Sequence, residues 1–151
     1  IDIYDSNSNM LTKPWGLQLV RLVMGSEYRE YEAPEEFQKY WQTKYRIEGL
    51  VTVRSLIDYT MTKETFASVN QPIFVGAYYK DKEYQDKVVS VNAMRNMMPL
   101  LGTPEGQKRM VEFSEVGAHV MASPIRSKDV ESVLEETFKF AEEVVGLKPI
   151  D

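Results

Sequence analysis

The chain has 151 residues, contains no cysteine and carries a formal net charge of −5 at pH 7. Its length suits one domain, and its hydrophobic content of 43% is sufficient for a folded core. The negative charge disfavours nucleic acids and anionic membranes as partners, because both require a basic surface. The lack of cysteine excludes disulfides and thiolate metal sites, and it is compatible with the cytoplasmic location that we expect.

The first half of the chain shows mostly helical patterns. Residues 1–13 are polar and rich in turn-forming residues, and Pro14 and Gly25 bracket the first predicted helix. Pro34 predicts the start of a second helix, which would carry an aromatic stripe at helical spacing, consisting of Phe37, Tyr40, Trp41 and Tyr45. Two further helices are predicted around "LVTVRSLIDYTM" and "TKETFASV". Residues 1–69 are therefore interpreted as a linker and a helical cap region.

The pattern changes at Gln71. "PIFVGAYY" and "KRMVEFS" are short apolar runs that predict buried strands. A helix is predicted from Ser90 to Leu101, kinked near its end by Pro99. A second helix is predicted over residues 129–145, capped by Asp129 or Ser127 and stopped by Gly146 and Pro149, with an apolar face formed by Val130, Val133, Leu134, Thr137, Phe138, Ala141 and Val144.

This strand–helix–strand–helix order predicts parallel strands joined by right-handed crossovers. Two parallel strands rarely form a sheet by themselves, since parallel sheets are usually wider and covered on both faces. The first half offers helices rather than further strands, and the sequence begins with Ile1 instead of Met. We therefore expect an α/β chain with an incomplete parallel sheet, forming the C-terminal part of a longer protein.

Polar residues follow both predicted strands, where function collects in open α/β sheets. Asp81, Glu83 and Asp86 come after the first strand, and His119, the single histidine of the chain, comes after the second. A carboxylate that orients an imidazole allows the imidazole to take a proton from a nucleophile or from water. A lone histidine in a loop is more often structural, but this order of residues is that of an acid–histidine pair.

Residues 70–147 resemble the C-terminal part of an α/β-hydrolase. "PIFVGAYYKDKEYQDKVVS" is similar to that family's acid-bearing strand, with Asp-Lys-Val-Val-Ser in place of the usual Asp-x-Val-Val-Pro. "KRMVEFSEVGAHVMAS" resembles the last strand and the histidine loop, and "VLEETFKFAEEVVGL" resembles the closing helix. The resemblance is strongest to bacterial, esterase-like serine hydrolases. It implies that residues 70–151 belong to the hydrolase core and that the helical region before them is the cap.

This resemblance makes His119 the catalytic base and Asp86 the triad acid. Asp86 is preferred because the motif continues after it, although its distance from Gly76 is longer than usual and keeps Asp81 as an alternative. No cofactor is expected, and a metal site is disfavoured because the chain has one histidine, no cysteine and no spaced carboxylate loop of the calcium-binding type. The substrate that the resemblance implies would be a small-molecule ester or related acyl compound.

The nucleophile is missing from the motifs, because the chain contains no Gly-x-Ser-x-Gly. In the family this segment lies upstream of the cap, so we expect it before Ile1, and we expect the chain alone to be inactive. Its partner would be the N-terminal half of the same protein or another copy of the chain. The alternatives are a non-catalytic interaction module and a superfamily relative with an Asp nucleophile, such as a dehalogenase.

Overall fold

The structure is a computed structural model that describes residues 13–148. The predicted linker over residues 1–12 and the predicted stop at Pro149 lie outside this range. The chain forms two compact units, Ile1–Thr62 and Lys63–Asp151. Its described part is mixed α/β, with helices and two small sheets.

The first unit contains helices and one small sheet. Its helices are α1 (Gly16–Met24), α2 (Glu35–Gln38) and α3 (Ile47–Thr60), and its strands are β1 (Tyr28–Glu30) and β2 (Lys44–Arg46). The two strands pair in antiparallel orientation, with Lys44 and Arg46 over the ring of Tyr28. Helices α1 and α3 confirm the helices predicted between Pro14 and Gly25 and around "LVTVRSLIDYTM". The prediction of a purely helical layer was wrong at these strands.

The predicted aromatic stripe does not lie on one helix, since Tyr40 and Trp41 fall in the turn between α2 and β2. Helix α2 has only four residues and ends at Gln38, and Tyr45 lies in β2. Phe37 and Trp41 still meet, with stacked rings 4.6 Å apart, and Tyr40 approaches Trp41 edge-on. Aromatic residues are enriched in strands, and Tyr45 lies in β2, where it pairs with Arg29 of β1 instead of continuing the helix.

The second unit carries the candidate site. In chain order it contains α4 (Lys63–Ser68), β3 (Ile73–Tyr78), α5 (Val91–Met97), the 3₁₀ turns Met98–Leu100 and Glu105–Gln107, β4 (Lys108–Phe113), α6 (Val130–Phe140) and a π-helical turn (Ala141–Val145). Strands β3 and β4 are parallel, and their register runs from Ile73 opposite Lys108 to Tyr78 opposite Phe113. The parallel pairing predicted from the order of elements is therefore confirmed, and both strands end at the same edge.

A small core lies between this sheet and α6. Phe113, Val116 and Val133 are buried in it, surrounded by the partly buried side chains of Phe74, Tyr78, Val111 and Met121. Val116 is completely buried although it lies in the loop after β4. The start of that loop is therefore anchored in the same core as the strand.

Helix α4 belongs to the second unit, seven residues before the boundary expected at residue 70. The backbone N–H of Gly102 donates to Phe66, and a side chain at Gly102 would collide with the carbonyl oxygen of Ala67, 2.2 Å from the position of its Cβ. The hydroxyl of Thr103 donates to the carbonyl of Gln71 at 2.8 Å. These contacts connect the segment around α4 to the segment after α5. The helix predicted to continue to Leu101 with a kink at Pro99 ends at Met97, and Pro99 lies in the 3₁₀ turn Met98–Leu100.

Helix α6 begins where predicted, but the α-helix ends at Phe140 and continues to Val145 only as the π-helical turn, and its buried face differs from the predicted one. The carboxylate of Asp129 accepts a hydrogen bond from the backbone N–H of Ser132 at the start of α6, and Gly146, with φ 77°, ends the π-helical turn that follows α6. Val133 is buried as expected, whereas Phe138 is 61% exposed and Phe140 is 6% exposed. Phe140 packs on Phe74 of the sheet, with ring centroids 5.5 Å apart. A two-stranded sheet covers only a narrow strip of the helix, and that strip contains Phe140.

This difference between neighbouring phenylalanines is testable. We expect Phe140→Ala to reduce the free energy of unfolding by about 3–5 kcal/mol, since it leaves a cavity against the sheet. Phe138→Ala on the exposed side of the same helix is the matched control and should change it by about 0.5 kcal/mol or less. Urea denaturation of both variants measures the two effects. Equal losses of unfolding free energy in the two variants would contradict the observed burial of Phe140 and exposure of Phe138.

Candidate active site

A short hairpin after β3 returns the chain to the end of the strand. Tyr79 pairs with Gln85 in an antiparallel bridge, and the backbone N–H of Asp86 donates to the carbonyl of Tyr78 at 2.9 Å. The long separation between Gly76 and Asp86 is thus absorbed by the residues of this hairpin, here called the acid hairpin (residues 79–86). Asp86 lies beside the last residue of β3 although eight positions separate them.

Asp81 forms the tip of the acid hairpin. Its Oδ1 accepts hydrogen bonds from the backbone N–H groups of Glu83 and Tyr84, both at 2.8 Å. Asp side chains commonly stabilise turns in this manner. Of the two candidate acids, the structure brings Asp86 and not Asp81 to the histidine. Glu83, the other acidic residue of this segment, lies in the same turn.

Asp86 is a buried carboxylate with defined partners. Its side chain is 3% exposed. Oδ1 accepts the backbone N–H groups of Val88 and Val89 at 2.7 Å and 3.0 Å. A buried charge is costly unless hydrogen bonds replace its hydration. Two backbone donors therefore fix the plane of the carboxylate and leave Oδ2 for another partner.

His119 lies on a loop that is held at both ends, here called the histidine loop (residues 114–128). Val116 anchors its start in the core, and the carbonyl of Val116 accepts the backbone N–H of Lys128 at 3.0 Å. Gly117 turns the chain with φ 68°, a conformation that other residues adopt at a cost. The carbonyl of His119 itself accepts the backbone N–H of Met121. These constraints present the imidazole at the edge where β4 ends.

The acid hairpin and the histidine loop meet through one short contact. Nδ1 of His119 lies 2.6 Å from Oδ2 of Asp86. A carboxylate can only accept, so the imidazole donates from Nδ1, and Nε2 is its basic nitrogen. The His119 side chain is 42% exposed, in contrast to its buried partner. The arrangement therefore combines a fixed, buried acceptor with an imidazole that a reacting group can approach.

Sequence patterns indicated the acid and the base but not the groups that orient them. No sequence motif marks these orienting groups, because they are backbone groups that nearly every residue carries. They are the amides of Val88 and Val89 and the carbonyl of Tyr78. The one available signal is an Asp that precedes Val-Val-Ser at the start of a helix, where short polar side chains accept backbone N–H bonds. In residues 13–148, no cluster of three or more His, Asp or Glu side chains is arranged to hold a metal ion, and no helix is sufficiently long and apolar to cross a bilayer.

No protein-family profile, curated protein or solved structure matches the chain. The resemblance to α/β-hydrolases therefore stays a prediction from the sequence motifs around Asp86 and His119. The contact between Asp86 and His119 does not depend on that resemblance, since it is a distance within this chain.

The assignment of Asp86 over Asp81 can be tested without a substrate, because the chain has a single histidine. Long-range ¹H–¹⁵N NMR of that imidazole, at a pH where it is neutral, reports which nitrogen carries the proton. We expect the Nδ1–H form in the wild-type chain and the Nε2–H form to gain population in Asp86→Leu, which removes the acceptor. Asp81→Leu is the control and should retain the wild-type tautomer ratio. The reverse outcome would assign the contact to Asp81.

Gly117 provides a second test of the histidine loop. Gly117→Ala should reduce the free energy of unfolding by about 1–2 kcal/mol, because an alanine is strained at positive φ. A Cβ at this position would meet the Lys128 side chain only at ordinary distances of 3.5 Å or more, so the backbone and not a clash sets the cost. Gly106→Ala, with open space around it and no positive φ, should be neutral or slightly stabilising. Thermal unfolding of the pair compares them, and an unaffected Gly117→Ala would contradict the loop conformation.

Proposed function

We propose that His119 and Asp86 are the base and the acid of a serine hydrolase of the α/β-hydrolase type, which cleaves a carboxylic ester or a related acyl bond. The observation that supports this most directly is the 2.6 Å contact between Nδ1 and Oδ2 beyond the ends of two parallel strands. Catalytic groups collect at this edge of open α/β sheets. A buried acid and an accessible imidazole are also the arrangement that general-base catalysis requires.

The chemistry of the pair follows from its geometry. Nε2 of His119 takes the proton of a serine hydroxyl while the serine oxygen bonds to the acyl carbon. The imidazolium that forms is stabilised by Asp86, which keeps its charge and does not take the proton. Nε2 then gives the proton to the departing alcohol, and water removes the acyl group by the same steps. The hydrogen bond at Nδ1 is needed throughout, because it holds the ring in the tautomer that leaves Nε2 basic.

The serine and the oxyanion hole belong, in this proposal, to a segment that precedes Ile1 or to a partner chain. The sequence contains no Gly-x-Ser-x-Gly, and "MGSEY" lacks the second glycine of that motif. The described sheet of the second unit has two strands, whereas parallel sheets are usually wider. Further strands from that segment would complete the sheet. In this proposal the helical residues 14–69 correspond to the cap of such enzymes.

We propose that a longer protein contains this serine segment, and the activity is tested on that protein. We expect it to hydrolyse short p-nitrophenyl esters. We expect His119→Ala to lower kcat by about 10⁶-fold and Asp86→Asn by about 10⁴-fold. The 151-residue chain alone should show no turnover above buffer. Asp81→Asn is the matched control and should retain wild-type kcat, since Asp81 only forms the turn of the acid hairpin.

The outcomes separate the proposed chemistries. Covalent labelling by a fluorophosphonate, lost in His119→Ala, would support a serine nucleophile. Cleavage of a halogenated substrate without fluorophosphonate labelling would contradict it and favour an Asp nucleophile. Wild-type ester hydrolysis by His119→Ala would overturn the catalytic assignment of the pair.

A further inference from the structure

Arg95 of α5 lies at the junction of three elements of the second unit. Its Nε and Nη2 donate to the two carboxylate oxygens of Glu112 in β4, at 2.7 Å and 2.9 Å. Its Nη1 donates to Oδ1 of Asn92, at 3.0 Å. The central carbon of the guanidinium lies 4.2 Å from the centroid of the Tyr79 ring. A planar guanidinium held in this way has a fixed orientation and not merely a nearby charge.

Tyr79 is the first residue of the acid hairpin and pairs with its other end. Its backbone N–H donates to the carbonyl of Phe113 at 3.1 Å, and it pairs with Gln85 on the returning strand of the hairpin. Asp86 follows directly after Gln85. The ring of Tyr79 is thus the side-chain contact through which Arg95 reaches the segment that carries the acid.

The ion pair is well formed but only partly shielded. Hydrogen bonding to Arg95 holds the pKa of Glu112 below its ordinary value, and the Glu112 carboxylate raises the pKa of Arg95. Both side chains are about one third exposed, at 36% and 32%. Exposed ion pairs contribute little to global stability. A bidentate pair with an aromatic ring on its face does, however, restrict how the attached segments move relative to one another.

We propose that Arg95 is a positioning residue, which holds the Tyr79 ring against β4 and thereby keeps the acid hairpin where Asp86 bonds to His119. The inference rests on the proposed function for its catalytic meaning. In structural terms, it states that Arg95 influences the bond between Nδ1 of His119 and Oδ2 of Asp86 through its contact with Tyr79. This coupling can be measured without substrate or nucleophile.

A second ion pair offers a matched comparison. Nζ of Lys80 in the acid hairpin lies 3.4 Å from Oε1 of Glu115 in the histidine loop, and their side chains are 52% and 64% exposed. It joins the same two loops as the catalytic pair, but it has no aromatic contact and a single long bond. Loss of this pair should therefore leave the Asp86–His119 bond unchanged.

The experiment measures the tautomer ratio of the single imidazole in the full 151-residue chain by ¹H–¹⁵N NMR. Tyr79→Leu removes the ring and leaves the Arg95–Glu112 pair intact, whereas Tyr79→Phe retains the ring. We expect Tyr79→Leu and Arg95→Met to lower the ratio of Nδ1–H to Nε2–H by about two- to fivefold, the range that the loss of one cation–π contact allows. Tyr79→Phe and Lys80→Met should keep the wild-type ratio.

Thermal unfolding of each variant separates positioning from stability. A lower melting temperature with an unchanged tautomer ratio in Tyr79→Leu and Arg95→Met would mean a merely structural role and would overturn the inference. Equal losses of the ratio in Tyr79→Phe and Tyr79→Leu would overturn the role of the ring. A wild-type ratio that already lacks the Nδ1–H preference would also overturn it. If instead the ratio behaves as expected while His119→Ala of the longer protein is fully active, the coupling is real and the proposed function fails.

Discussion

The parallel register of β3 and β4 is the constraint on which the second unit depends. With Tyr78 opposite Phe113, the acid hairpin and the histidine loop leave the sheet at the same edge. An antiparallel pairing would send the two segments to opposite ends. The crossover through α5 is what makes parallel pairing possible, since parallel strands cannot be joined by a tight turn. The chain topology therefore brings Asp86 and His119 to the same edge, and their side-chain chemistry then allows the hydrogen bond between them.

The two members of the pair are held by different means. Asp86 is enclosed, and backbone amides satisfy the oxygen that does not face the imidazole. Such donors are part of the main chain and do not change rotamer, so the direction of Oδ2 is fixed. His119 is held through its loop, by the buried Val116 and by the closing bond at Lys128, while its ring remains 42% exposed. A fixed acceptor and an accessible base together give an imidazole that is oriented but open to a reacting group.

The sequence predicted those parts of this arrangement that depend on local patterns. The two strands, the Asp129 cap of α6 and the helix break near Pro99 follow from short-range chemistry, and the parallel pairing follows from the order of the elements. That order left Asp81, Glu83 and Asp86 as candidate acids for His119, and the motif resemblance favoured Asp86. Prediction failed where a long-range contact decided the outcome. Strand pairing placed Tyr45 in β2, and the narrow sheet selected Phe140 rather than Phe138 for burial. Periodicity gives the width of an apolar face, but only the packing partner determines which part of it is buried.

The length of the acid hairpin explains why the site needs support beyond the pair itself. A hairpin inserted between a strand and its acid adds freedom that a direct strand-to-acid turn would not have, and the closure of such a segment must be stabilised by contacts at its base. The base here is Tyr79, bonded to β4 through its backbone and covered by Arg95 through its ring. Arg95 is in turn fixed by Glu112, a neighbour of Phe113, whose carbonyl accepts the backbone N–H of Tyr79. The hairpin is thus fastened twice to the same end of β4, once by main chain and once by side chain, and this double attachment restores the precision that the longer connection would otherwise lose.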